Sequence, residues 1–225
     1  MTHSNPAVAR RLEKVLALLG PLWPDARALL TYTNCFELLC SVILSAQCTD
    51  EQVNRVTPAL FARWPDPPGM AKAGLAELEE AIRSIGFWKT KARHLRESAS
   101  MIVAEHGGRV PDTMEKLLTL PGVGRKTANL VLSSCFGRPG IIVDTHVLRV
   151  AQRLGIADKA DPALVEKIVA ANVPAESWTR LSHAINRHGK YVCRARKPDC
   201  PACPLAGFCP RKGVAAAERR KPGAR

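Results

Sequence analysis

The chain has 225 residues, 46% hydrophobic and 24% charged, enough to bury one good core or two small ones. Its formal net charge of +13 points to a polyanionic partner. No apolar run is long enough to span a bilayer, and MTHSNPAVARR lacks a signal-peptide core. A cytoplasmic protein with no membrane partner and with reduced thiols is therefore expected, and its eight cysteines should serve as metal ligands or core residues, not as disulfides.

Residues 1 to 6 are expected to be loose. Val8, Leu12, Val15, Leu16 and Leu19 recur at helical spacing up to Gly20-Pro21. Asn34 with Glu37 signals a cap on a helix running through Phe36, Leu39, Cys40 and Ile43 toward Gln47, and Thr49 with Gln52 caps the next. Pro58 is expected to kink or split that helix, and Asp66-Pro67-Pro68-Gly69 reads as a loop. Leu75, Leu78, Ile82 and Ile85 mark a helix ended by Gly86. Ala92, Leu95, Ala99, Ile102 and Val103 mark another, ended by Gly107.

Asp112 with Glu115 signals a short capped helix carrying Met114, Leu117 and Leu118. Pro121-Gly122-Val123-Gly124 then forces a tight hairpin, and a second helix runs from about Arg125 to Cys135. The unpaired first N–H groups of that helix suit a phosphate, which is the physics of a helix-hairpin-helix clamp on a nucleic-acid backbone. Lys126 lies in its first turn, where the helix dipole, Arg125 and any burial disfavour the ammonium and favour the nucleophilic amine. Asp144 opens the following helix, with Val147, Leu148, Ala151 and Leu154 on one side. Taken singly, Lys126 reads first as a phosphate contact and Asp144 as an N-cap.

Asp161-Pro162 reads as cap and first helical residue, and Trp178, Leu181 and Ile185 as a buried stripe ended by Gly189. Nothing reads as a strand, so the class is all-α. The basic stretch at the C-terminal end, residues 212–225, is expected to be a disordered tail.

Cys193, Cys200, Cys203 and Cys209 form C-x6-C-x2-C-x5-C. Four thiolates held together need a cation; a tetrahedral zinc fits the chemistry as well as an iron–sulfur cubane, and ligand count alone leans toward zinc, because such sites are common. Arg194, Arg196 and Lys197, in the loop between the first two, can offset that charge and reach phosphates. Cys35, Cys40, Cys48 and Cys135 lie in or beside apolar helical stretches and read as small core residues.

LPGVGRKTA followed by VDTH, with Leu44-Ser45-Ala46-Gln47 and the cysteine set, resembles the endonuclease III family of DNA glycosylases over about residues 7 to 211. The resemblance implies two helical modules flanking a DNA-binding cleft. A six-helix barrel over 28–137 carries the helix-hairpin-helix (about 112–135), and residues 138–211 form a 4Fe–4S cluster module with the N-terminal helix of 1–27 packed on it. Lys126 would stand on one wall of the cleft and Asp144 on the other as catalytic residues, and Cys193, Cys200, Cys203 and Cys209 would hold the cluster.

By the same resemblance, Gln47 fills the space left by an extruded nucleotide. A residue after Gly86, usually leucine in the family, wedges the opposite strand. Phe87 stands there, and an aromatic ring stacks on bases, although Phe87 and Trp88 also read as core closers. Gly122, Val123, Gly124, Arg125 and Thr127 would contact DNA along the hairpin. The implied activity is a monomeric glycosylase and abasic-site lyase, nucleoid-associated when bound to DNA, acting on duplexes with oxidised pyrimidines or abasic sites. The rival readings are an adenine mismatch glycosylase, which lacks the hairpin lysine, and a non-catalytic DNA-binding module with a zinc knuckle.

Overall fold

The computed structural model describes residues 4–24 and 28–215, and among these every regular element is helical. The chain divides into two compact units, 28–138 and the remainder on either side of it.

Helix α1 (Pro6–Leu19) starts the outer unit. Asn5 caps it by accepting from the N–H groups of Ala7 and Val8, and Pro6 sits where its missing N–H costs nothing. The looseness expected for residues 1 to 6 does not extend this far, because the Asn5 N–H also donates to Asn172 Oδ1 at 2.7 Å.

The inner unit follows. Helix α2 (Cys35–Ser45) is capped by Asn34, whose Oδ1 accepts from the Glu37 N–H at 3.0 Å, and is buried almost all round. A helix with that distribution belongs in the middle of a core. Helix α3 (Asp50–Arg63), capped by Thr49, continues past Pro58. Pro58 removes one backbone bond without splitting the helix, because Val53, Thr57, Leu60 and Phe61 bury its inner face on both sides of the proline.

Asp66 to Gly69 is no loop. It starts helix α4 (Pro67–Lys72), with Asp66 Oδ1 accepting from the Gly69 N–H at 2.8 Å and Pro67 in the first helical position. Helix α5 (Leu75–Ala81) ends at Ile82, earlier than the Gly86 stop, although Ile82 and Ile85 are both buried. Helix α6 (Trp88–His106) ends at Gly107 in the left-handed conformation, and Val103 is exposed, outside the buried stripe. Helix α7 (Met114–Leu118) is capped by Thr113 in place of Asp112, whose carboxylate pairs with Arg138 at 2.6 Å. Leu118 points to solvent. Helix α8 (Arg125–Phe136) ends at left-handed Gly137.

The outer unit resumes with α9 (Thr145–Arg153), α10 (Pro162–Asn172), a 3-10 turn (Ala175–Ser177) and α11 (Trp178–Tyr191). Asp144 and Asp161 cap α9 and α10. Gly189 does not end α11 but lies within it, where a Cβ would come within 2.8 Å of the His146 Cβ; the glycine permits the close approach of α9 and α11. The core of this unit joins Leu12, Val15 and Leu19 to Val147, Val150, Leu154, Val165, Val169, Leu181 and Ile185.

Of the expected C-terminal tail, residues 216–225 lie outside the described ones. Its first residues are packed: Val214 is buried, and the Lys212 N–H donates to the Arg153 carbonyl at 3.2 Å.

Candidate nucleic-acid interface and metal centre

The hairpin between α7 and α8 turns at Gly122, whose φ of +79° suits glycine and where a Cβ would stand 2.8 Å from His94 Nδ1. The Val123 N–H donates to the Leu120 carbonyl at 3.1 Å, and Val123 itself is buried, so it can meet a ligand only through its backbone. Gly124 begins α8 without a side-chain cap. An N-terminus so built is disposed to receive an anion. Arg125 and Lys126 are exposed in its first turn, with Thr127 half-buried beside them. Ser98 of α6 holds the turn from beneath, donating to the Pro121 carbonyl at 2.9 Å.

Gln47 and Phe87 stand on neighbouring segments of the same unit. Gln47 (φ 53°) and Phe87 (φ 60°) both occupy the left-handed region that side-chain-bearing residues rarely enter, and a Cβ on Gly86 would lie 3.8 Å from the Gln47 carbonyl oxygen. Phe87 is 66% exposed, which removes the reading of it as a core closer; Trp88 is half-buried with Lys89 Nζ 5.1 Å from its ring centre. Between these segments lies a residue that no motif or spacing singles out. Lys91, only 5% exposed, donates to the carbonyls of Leu44 at 2.8 Å and Ala46 at 2.6 Å.

In the outer unit, both carboxylate oxygens of Asp144 are engaged. Oδ1 accepts from the Val147 N–H at 2.8 Å and Oδ2 from Asn186 Nδ2 at 2.6 Å. Close by on α11, burial, with Arg187 adding to it and Asp144 opposing it, lowers His183 to a pKa of about 4.

Cys193, Cys200, Cys203 and Cys209 line one pocket with His188, Leu205 and Val214. Burial pushes the Cys203 thiol up to about 11 and that of Cys209 up as well, so thiolates there need a compensating cation. Four thiols on the walls of one pocket supply the ligand set of an iron–sulfur cluster. Arg153, buried and without a sequence signal, donates to Cys193 Sγ at 3.4 Å and to the carbonyls of Cys193, Arg194 and Ala195. It thereby fixes the start of the loop on which Arg194, Arg196 and Lys197 are exposed. Cys40 is core, whereas Cys35, Cys48 and Cys135 are only half-buried.

Residues 40–175 match the HhH-GPD superfamily base excision DNA repair protein, and residues 193–209 match the iron-sulfur binding domain of endonuclease III. The chain is 48% identical over 202 residues to endonuclease III of Synechocystis sp., covering 89% of this chain and 92% of that protein. It belongs to the endonuclease III family. Endonuclease III of Bacillus subtilis is 44% identical and that of Escherichia coli 39%, each over 201 residues, 89% of this chain and 92% and 95% of theirs. A trapped endonuclease III–DNA covalent intermediate superposes with a TM-score of 0.86 at 43% identity, covering 89% of this chain and 95% of that one. A thermostable thymine-DNA glycosylase shares the fold, with a TM-score of 0.80 at 24% identity over 90% of this chain and 97% of the other. The protein is thus a base excision repair enzyme, a DNA glycosylase and abasic-site lyase of the endonuclease III type, and its cofactor is a 4Fe–4S cluster. Among the described residues no helix is long and apolar enough to cross a membrane.

Proposed function

We propose that this protein acts as a monomer on the cell's own duplex DNA, removing oxidised or ring-damaged pyrimidines such as thymine glycol and cutting the strand at the resulting abasic site. The reading rests above all on Lys126, an exposed amine in the first turn of a helix whose start carries no side-chain cap. Gly122, Val123, Gly124, Arg125 and Thr127 grip the backbone beside the lesion, largely through N–H groups and charge. Gln47 and Phe87 occupy the space vacated by the extruded nucleotide and the stack opposite it, and their exposure suits that task.

Lys126 Nζ then bonds to the anomeric carbon as the bond from that carbon to the base breaks, and the base departs with a proton. Asp144 faces the developing positive charge of the sugar and assists the proton's movement. The sugar ring then opens, the C1′–O4′ bond breaking as that oxygen takes a proton, and the Schiff base so left on Lys126 acidifies the neighbouring C2′ proton. Its loss breaks the C3′–O bond, and water releases the amine. The superposed endonuclease III complex is itself a trapped covalent intermediate with DNA, which supports a covalent route here.

Cys193, Cys200, Cys203 and Cys209 would hold the 4Fe–4S cluster, which when bound supplies a rigid core for their loop. Arg194, Arg196 and Lys197, exposed on that loop, contact phosphates.

The test is borohydride trapping on a duplex with one abasic site. The wild-type protein should give a covalent adduct and Lys126→Gln none. An adduct formed equally well by Lys126→Gln would overturn the assignment.

A further inference from the structure

Helix α6 carries three polar side chains at helical spacing, Lys91, His94 and Ser98, that all reach toward segments read above as meeting DNA. Ser98 and His94 support the hairpin at Pro121 and Gly122. Lys91 reaches the other side. Its backbone N–H donates to the Phe87 carbonyl at 3.1 Å, and its ammonium donates to the Leu44 and Ala46 carbonyls, the latter immediately before Gln47. One residue is thus bonded to both segments.

We propose that Lys91 is a positioning residue for base extrusion, setting the separation of Gln47 and Phe87 by tying the end of α2 to the start of α6. This rests on the reading of Gln47 and Phe87 as the residues that fill the opened duplex.

A buried cation is a poor way merely to fill a core, because an apolar side chain of similar length would avoid the desolvation. Burial lowers the pKa of Lys91, with the nearby Cys48 opposing that shift. In return the ammonium makes two short, charge-assisted bonds to carbonyls at a helix C-terminus, where a cation is favoured. Those carbonyls would otherwise be orphans. With Ala46 held, the chain must reverse at once, and Gln47 does so in the left-handed region. Phe87 takes the same strained conformation one hydrogen bond from Lys91. Such conformations persist only where surrounding contacts over-determine them, and the Lys91 ammonium supplies one beside Gln47 while anchoring that segment to the first turn of α6, which Phe87 begins.

The experiment compares two substrates. Excision from a duplex containing thymine glycol needs extrusion and gap filling, whereas cleavage of a single-stranded abasic oligonucleotide needs only the amine chemistry. Lys91→Met should slow single-turnover excision from the duplex by about tenfold to a hundredfold, the scale of a small misplacement in an active site. It should leave single-strand cleavage unchanged, and adding it to Gln47→Ala should bring little further loss. A parallel fall on both substrates means a merely structural role and overturns the proposal, as does no fall on either.

Gln47→Ala and Phe87→Ala, assayed alongside, separate the two levels of inference. If they slow duplex excision and Lys91→Met does not, the Lys91 role alone is wrong. If they leave it at the wild-type rate, the gap-filling reading fails and takes the Lys91 role with it. Circular dichroism checks folding. Should Lys91→Met not fold, Lys91→Gln, which keeps a shorter amide donor, is read by the same comparison.

Discussion

Asn186 donates its Nδ2 to Asp144 Oδ2 at 2.6 Å, while the other carboxylate oxygen accepts from the Val147 N–H at 2.8 Å. The residue proposed to face the sugar's positive charge is therefore locked from two sides, by the first turn of its own helix and by α11. An ionised carboxylate can only accept, so the two donors together hold it in a single orientation.

Replacing Asn186 by leucine should leave Asp144 as an N-cap but free its outward oxygen to rotate. Single-turnover excision is expected to fall by about tenfold, with duplex affinity retained, because orientation and not binding is lost. Asn186→Gln, which keeps the amide on a longer stem, should lie between. Equal rates for Asn186→Leu and wild type would show that the bond is incidental.

Stability should decline as the medium is acidified through a window set by His183. Unfolded, the imidazole takes a proton as pH falls through 6.5; folded, it does so only near pH 4, because burial and Arg187 disfavour its charged form. Between those limits the unfolded chain binds the extra proton, so acidification favours unfolding. Thermal melts between pH 4 and 6.5 should show this slope, and His183→Leu should flatten it.

Loss of the 4Fe–4S cluster should loosen the outer unit from its C-terminal end. The thiols that would hold it line a pocket shared with Leu205 and Val214, so metal loss leaves apolar walls facing a void. The purified protein should be brown. Oxidative removal of the iron should lower the melting temperature and expose the 193–209 loop to proteolysis. Cys203→Ser should do the same without oxidant.

Affinity for duplex DNA should fall steeply with salt. Each phosphate neutralised contributes about −0.9 to the slope of log K against log salt. Arg194→Ala and Arg196→Ala should each reduce that slope by about 1 and weaken damaged and undamaged duplexes alike. A slope unchanged by either substitution would remove the cluster loop from the interface.

The helix starts were legible wherever the signal was local. Asn34, Thr49, Asp144 and Asp161 each cap the helix expected of them, because a cap needs only a side chain and an N–H two or three residues on. The same rule placed Asp112 one residue early, since Thr113 competes for that role and Arg138 claims the aspartate. Pro67 and Gly189 read as breakers because their types usually are; in place, one starts α4 and the other lets α11 close on α9.

Lys91, Asn186 and Arg153 were invisible for a different reason. Their partners lie 40 or more residues away in sequence, and in a basic chain a lysine, an asparagine and an arginine on amphipathic helices look like solvated surface. Only the tertiary fold gives them their work.

The left-handed backbone at Phe87 restricts which amino acids could ever replace it. Branching at the β-carbon is ill-suited to that region, so valine, isoleucine and threonine are disfavoured there before any question of stacking arises, while unbranched, flat or amide-bearing side chains remain open. Lesion preference can therefore be retuned at this position only along a narrow track, in which the reach and polarity of the inserted group vary and its stem does not.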